Sequence, residues 1–338
     1  MKKTLFTFVL VAVSLMSSAQ QDRHFSMFFA NPVLLNPGAA GHGNGSLQAF
    51  TSFRTQWFTA SNTAFRSIAA GIDGKMMERS LSNGFIGTGL NFVNDVSGDS
   101  KYTLNVVSVP INYSIQLNET SYLSVGIQPG IYAQRINPEA LYFDNQWTGT
   151  GFNTDISSGE NFGTFSVSRF DLGAGIYYKS TKSEKYNYQV GLSGFHLTGQ
   201  NVGVLNLSEK LYRNFTAYGK IDIGNSTSNL TMSPAVFALI QGPNKELTFG
   251  SNFDYIIKPS SIYTGYFDGM SLGFGLYFRT SDAFISNIVY RAGGLTLGVS
   301  YDVNVSPLSA ATKGVGALEI FLKFAPKLKA KFGSPRIH

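Results

Sequence analysis

Apolar and polar residues alternate with a period of two along most of this chain. Val107, Val109, Ile111, Tyr113, Ile115 and Leu117 alternate with Ser108, Pro110, Asn112, Ser114 and Gln116. An extended segment of that kind has one apolar and one polar face, and 107–117 reads as the cleanest strand. The same period sets Ile86, Leu90 and Phe92 against Gly87, Gly89 and Asn91, and Leu123, Val125, Ile127 and Ile131 against Ser124, Gly126, Gln128 and Gly130. It returns over 170–179, 270–279, 295–302 and 314–324. In the last of these, Leu318, Ile320, Leu322 and Phe324 oppose Glu319, Phe321 and Lys323. With weaker candidates at 45–55, 64–74, 187–197, 213–224, 230–241, 246–257 and 283–291, the pattern predicts about fourteen strands and no helix of comparable length.

An even number of long amphipathic strands predicts an all-β fold, a transmembrane outer-membrane β-barrel of about 14 antiparallel strands. The closing strand, with its apolar outer face and final Phe324, looks like the folding signal of bacterial outer-membrane barrels. Both chain ends then lie on the periplasmic side. The long connections 135–165, 198–212 and 305–313 fall outside the cell, and 118–121, 181–186 and 225–229 become short inner turns. The connection 258–269 is long for the inner side. A soluble β-sandwich also alternates, but composition favours the barrel. Gly (36), Phe (28) and Tyr (17) are abundant, only 14% of residues are charged, and mean hydropathy is +0.01. Outward apolar and inward polar residues cancel in such an average. Glycines repeat on the polar face, where they admit close approach of another segment, so the interior reads as occupied.

The chain begins with Lys2, Lys3, an apolar run and Ser17-Ser18-Ala19, which predicts a signal peptide over 1–19. No later stretch offers the roughly 18 uninterrupted apolar residues of a membrane helix. An N-terminal irregular segment over 20–44, a barrel over 45–325 and a basic periplasmic tail over 326–338 complete the expected organisation. Taking Lys2 and Lys3 from the 26 basic residues leaves 24 against 20 acidic ones, too small and dispersed an excess to imply nucleic acid. There is no Cys, hence no disulfide or thiol chemistry.

Residues 24–41, HFSMFFANPVLLNPGAAG, contain the pairs Asn31-Pro32 and Asn36-Pro37, which bar this stretch from a sheet interior and predict a shaped, non-regular segment. It resembles the N-terminal hallmark of the PorP/SprF family, outer-membrane components associated with the type IX secretion system of Bacteroidetes-type bacteria. FRTQW (53–57), VGLSGFHLTGQN (190–201), EKLYRNF (209–215), FGLYFRTSDAFI (274–285), SYDVNVSPL (300–308) and GVGALEIFLKF (314–324) are similar to further family elements, in order. Gly199-Gln200-Asn201 departs from the Gln-Pro pair common in relatives. The resemblance implies an integral outer-membrane barrel, not an enzyme, that supports secretion or surface attachment of an exported adhesin or its C-terminal domain. It also implies contact with outer-membrane lipid and with periplasmic type IX and gliding components.

Partner-binding candidates follow. In 24–41, Phe25, Phe28, Phe29, Asn31, Pro32, Asn36 and Pro37 belong to a segment too apolar to stand in water, so it reads as a plug or docking element rather than a plain linker. Arg54, Gln56 and Trp57 fall where the first strand leaves the membrane, where Trp57 serves either an aromatic girdle or a partner contact. Trp147 in the long loop, with His196 and Arg213 flanking 198–212, offers an aromatic, Arg-bearing surface, or else a loop that folds inward. Lys327, Lys329, Lys331 and Arg336 form a solvated tail or meet an acidic partner. The four histidines, His24, His42, His196 and His338, show no ligand spacing, so no metal or other cofactor is predicted. Asp73, Glu78, Asp95 and Asp99 read as solvated rim charges. No G-x-S-x-G, H-E-x-x-H or P-loop occurs. The competing reading is a transport channel for small hydrophobic or polar solutes.

Overall fold

The computed structural model describes residues 24–326 except 44, 59–62, 79, 82, 161–162, 182–185, 206, 225–228, 260–268 and 308. The predicted signal peptide and Lys327, Lys329, Lys331 and Arg336 lie outside the described residues. Among the described residues, fifteen strands follow an N-terminal irregular segment: β1 (Leu47–Gln56), β2 (Phe65–Met76), β3 (Gly84–Ser97), β4 (Tyr102–Ser108), β5 (Ile111–Asn118), β6 (Ser121–Arg135), β7 (Ser166–Ser180), β8 (Tyr186–Phe195), β9 (Asn214–Ile223), β10 (Leu230–Gln241), β11 (Asn244–Lys258), β12 (Met270–Arg279), β13 (Ala283–Ala292), β14 (Leu295–Asn304) and β15 (Val315–Phe324). All pairings are antiparallel. β15 pairs with β1, from Ala49 opposite Phe324 to Gln56 opposite Ala317, so the sheet closes on itself and has no open edge.

The barrel has fourteen strand positions, because β4 and β5 share one. β3 pairs with both, and so does β6. The segment 107–117, predicted as the cleanest single strand, is therefore broken at Val109-Pro110. Pro110 has no N–H to give to the ladder. Its carbonyl still accepts from Gly89 N at 3.1 Å, and Val109 N donates to Pro129 O at 2.9 Å, so neighbouring strands bridge the break.

The two faces reverse the pattern of a water-soluble protein. Outward-facing Val125 and Ile176 are 57% and 51% exposed, whereas inward-facing Ser114 and Ser124 are 0%. Apolar side chains thus meet lipid and polar ones line the lumen, as a membrane barrel requires. The long connections after β6, β8 and β14 sit at one end, here the loop end. At the other, the turn end, β5 and β6 are joined by two residues, and so are β13 and β14.

The lumen is filled. Residues 24–43 run through it from the loop end to the turn end before the chain turns into β1. The polar-face glycines make room for them: a Cβ on Gly126 would lie 2.8 Å from the nitrogen of Gly38 in this segment. Gly126→Val is therefore expected to cost about 1–3 kcal/mol by overpacking. It would lower the temperature at which the folded, heat-modifiable form of the barrel is lost on a gel. Gly151→Val, where a Cβ meets nothing within 4 Å, should leave that temperature unchanged.

Candidate functional site in the lumen and at the loop end

The lumen segment takes its shape from its Asn-Pro pairs. Each proline starts a short helical turn, Pro32–Leu35 and Pro37–Ala39, after a 3₁₀ turn at Phe28–Ala30. Asn36 ties the shape to the wall. Its amide donates to Ile176 O at 2.9 Å and Leu192 O at 3.0 Å, and its oxygen accepts from Gly38 N at 2.8 Å. Asn112 donates from β5 to Pro37 O and Ala40 O, at 3.1 and 2.8 Å. Apolar packing supplies the rest. Phe28 packs against Tyr218, Phe237 and Tyr277, and Phe29 stacks on Tyr277 at 5.1 Å. Met27, Phe28, Phe29 and Val33 are all buried, each worth roughly 1.5–3 kcal/mol.

Toward the loop end, a buried charge lattice holds Ser26. Ser26 N donates to Glu319 Oε2 at 2.6 Å, Met27 N to Glu319 Oε1 at 3.3 Å, and Ser26 Oγ to Asp302 Oδ2 at 2.7 Å. Arg54 and Arg279 both donate to Ser26 Oγ. Arg54 also pairs with Asp302 at 3.0 Å and Glu319 at 3.6 Å, while Arg279 pairs with Asp302 at 3.2 Å and Glu246 at 3.3 Å. His24 Nδ1 lies 3.1 Å from Glu246. Charges this deep persist only when paired and hydrogen-bonded, and the serine of the lumen segment is one of the bonds that satisfies them.

Toward the turn end, Asp73 accepts from Gly41 N and from Gln48, each at 2.8 Å. His42 Nε2 shares hydrogen bonds with Ser124 at 2.6 Å and Ser114 at 3.1 Å, among the rings of Phe85, Tyr122 and Tyr177. Burial, reinforced by the charges of Lys179 and Lys75, pushes its pKa from 6.5 down to about 3, so it is neutral in the folded chain.

The sequence-predicted site residues divide by location. Phe28, Phe29, Asn31, Asn36, Pro37 and Arg54 are buried inside the barrel, and Phe25 and Pro32 are half-buried there. They touch the chain's own wall. Gln56, with its amide oxygen turned to Arg54, accepts from Arg54 Nη2 at 2.6 Å. Trp57 packs edge-on to Phe65 at 5.0 Å. His196 is buried and faces Asp171 at 2.9 Å. Arg213 is exposed and reaches back to Leu197 O. Trp147 is exposed at 51%, beside Phe152 (49%) and Tyr142 (63%), with ring centroids about 5 Å apart. Asp73 and Asp95, expected on the rim, are instead 1% exposed. Their strand parity turns them inward, where Asp73 holds the lumen segment and Asp95 accepts from Ser67. Ser26, Asn112, Glu246, Arg279, Asp302 and Glu319 escaped the sequence reading of sites. Their partners lie up to 293 positions away, so only parity toward the lumen hinted at them. Among the described residues, no group of three or more His, Cys, Asp or Glu is placed to hold a metal ion.

The family described as type IX secretion system membrane protein PorP/SprF matches residues 17–324 of this sequence. The chain belongs to that family. The PorP/SprF match spans the lumen segment and all fifteen strands, and with the closed barrel it places the chain in the outer membrane. Among proteins of curated function, none matches the sequence. Solved barrels share the PorP/SprF chain's fold. The Ralstonia pickettii toluene transporter TbuX superposes with a TM-score of 0.50 at 9% identity, over 88% of this chain and 93% of that one. A TodX monoaromatic hydrocarbon channel lacking S2 gives 0.50 at 9% identity, over 88% and 94%.

Two predictions follow from this geometry. Arg54→Met takes from Glu319 its paired cation and leaves Asp302 to Arg279, and is expected to cost about 3–5 kcal/mol. It would expose the lumen segment to added protease, whereas Arg54→Met combined with Glu319→Gln would restore protection. For His42, the unfolded chain binds a proton below about pH 6.5 and the folded chain does not. Its contribution is therefore complete above that pH and is lost as pH falls toward about 3, by up to about 1.4 kcal/mol per pH unit. Thermal unfolding of wild type and His42→Asn between pH 8 and 4 should show the wild type losing stability more steeply.

Proposed function

We propose that this PorP/SprF chain is a non-enzymatic outer-membrane anchor or adaptor of the type IX secretion and gliding system. It supports secretion or surface attachment of an adhesin, binding the adhesin's C-terminal domain at the loop end and engaging periplasmic components at the turn end. The observation that carries this reading is the contrast between a lumen filled by the chain's own residues 24–43 and an open aromatic cluster on the loop 136–165. The lumen segment occupies the middle of the barrel, which leaves recognition to the two ends.

The loop is preformed for that task. Gln146 bonds Phe143 N at 3.1 Å and Ile156 O at 2.9 Å, and Trp147 and Phe152 face each other across an isolated bridge. Tyr142, Trp147 and Phe152 are thus held outward as rigid anchors of the kind that dominate protein interfaces. Trp57, His196 and Arg213 support this end, His196 from beneath. The solute-channel alternative has two cavities in its favour, one of about 140 Å³ beside Phe25, Leu34, Val93, Val106 and Phe195 and one of about 660 Å³ at the turn end. The first is below the roughly 300 Å³ at which ligand sites begin, and the lumen segment lines both and stands between them.

Affinity capture of the barrel from gently solubilised outer membranes, with mass spectrometry of what stays bound, is expected to recover an adhesin. Trp147→Ala with Phe152→Ala should lose at least about 2 kcal/mol, a roughly thirty-fold weaker retention, with the amount of barrel unchanged. Recovery of the barrel alone refutes the reading.

A further inference from the structure

The turn end opens into a cavity of about 660 Å³ roofed by the lumen segment through Phe29, Val33, Ala39 and His42. That volume falls among those of small-ligand sites, roughly 300–1,000 Å³. Five cations line it, Lys179, Lys220, Lys258, Arg291 and Lys323, against one carboxylate, Asp222. They come from five strands, β7, β9, β11, β13 and β15, so the barrel's curvature makes them converge.

Their partners leave charge over. Lys220 pairs with Asp222 at 2.8 Å, and Arg291 pairs with Asp254 from behind the lining. Lys179 and Lys323 donate to neutral carbonyls of the lumen segment, His42 O at 2.6 Å and Ala30 O at 3.0 Å. A carbonyl fixes an ammonium in place without cancelling its charge. Asp73, already bound by Gly41 N and Gln48, attracts Lys323, while Lys220, Arg291 and Lys179 repel it. Setting Lys258 aside, Lys179, Lys220, Arg291 and Lys323 still outnumber Asp73, Asp222 and Asp254. The excess sits in half-buried surroundings where water screens weakly, so an anion entering the cavity is strongly favoured.

Shape narrows the class of anion. The cations face the lumen, while the alternate residues Leu322 and Phe324 face lipid, so headgroups in the bilayer do not meet this surface. A lone phosphate would leave most of the space empty. Apolar Ile256, Met270, Val289 and Phe321 stand among the cations. We propose that this vestibule binds an acidic peptide segment of a partner protein, its carboxylates meeting Lys179, Lys220, Arg291 and Lys323 and its apolar side chains meeting Met270 and Phe321. The proposal rests on the adaptor reading only for taking that partner to be periplasmic.

Fluorescence anisotropy of a labelled Glu/Leu-rich peptide with the purified full chain in detergent tests it. The peptide is expected to bind at least tenfold more tightly than its Gln-for-Glu counterpart and to weaken with added salt. Lys220→Gln with Arg291→Gln should weaken it a further tenfold or more. Lys258→Glu, at the exposed rim, serves if the double variant does not fold. Equal affinity for the Gln peptide, unchanged affinity in the variants, binding of inorganic phosphate alone, or retention only on phosphatidylglycerol vesicles overturns it. Failure here with loop-end capture of an adhesin intact removes this site and leaves the adaptor reading standing.

Discussion

Ser26 is the point on which the structure depends. Two arginines and the carboxylates of Glu319 and Asp302 converge on its backbone and hydroxyl, all of them buried within the barrel. None of these groups can be exposed to lipid or left unpaired without a cost of several kcal/mol. The lumen segment and the lattice therefore require each other. The segment supplies donors that complete the lattice, and the lattice fixes one end of a segment whose other end is fixed by Asp73 and His42. Between the two, the Phe28–Phe29 packing makes the interior a core instead of a passage.

That arrangement orders the rest. A barrel filled by its own residues offers recognition surfaces only at its ends, and the ends differ. The loop end carries an aromatic cluster held by local hydrogen bonds, suited to a protein surface. The turn end carries a cavity rich in cations, roofed by the same lumen segment. The lumen segment roofs that cavity through Phe29, Val33, Ala39 and His42 and stands between the two ends.

Much of the fold was legible in the sequence because lipid enforces alternation at every strand, and a period of two survives small errors in boundaries. Pro110 marks where that reading stopped. Its position in the alternation is regular, so periodicity carried through it, while the missing N–H split the strand. Asp73 and Asp95 show the complementary failure. Charge alone suggested a rim, yet parity with Ser67 and Ala69 points both inward. The filled interior was foreshadowed by polar-face glycines such as Gly126. The lattice was not, because Ser26 meets Asp302 and Glu319 only once β1 and β15 close the barrel. Phe28 and Phe29, named because their segment is too apolar to stand in water, are core, as the plug reading expects, whereas Trp147 stands exposed in the loop where local bonds, not burial, position it.

Planar-bilayer recording of the purified chain tests the filled interior most directly. A barrel whose lumen is occupied by residues 24–43 and locked at Ser26 gives no steady ion current above that of the bare bilayer across its working pH. A stable, ohmic conductance from the intact, folded barrel would contradict the account, since it requires a continuous water path where the structure places Phe28, Phe29 and Val33.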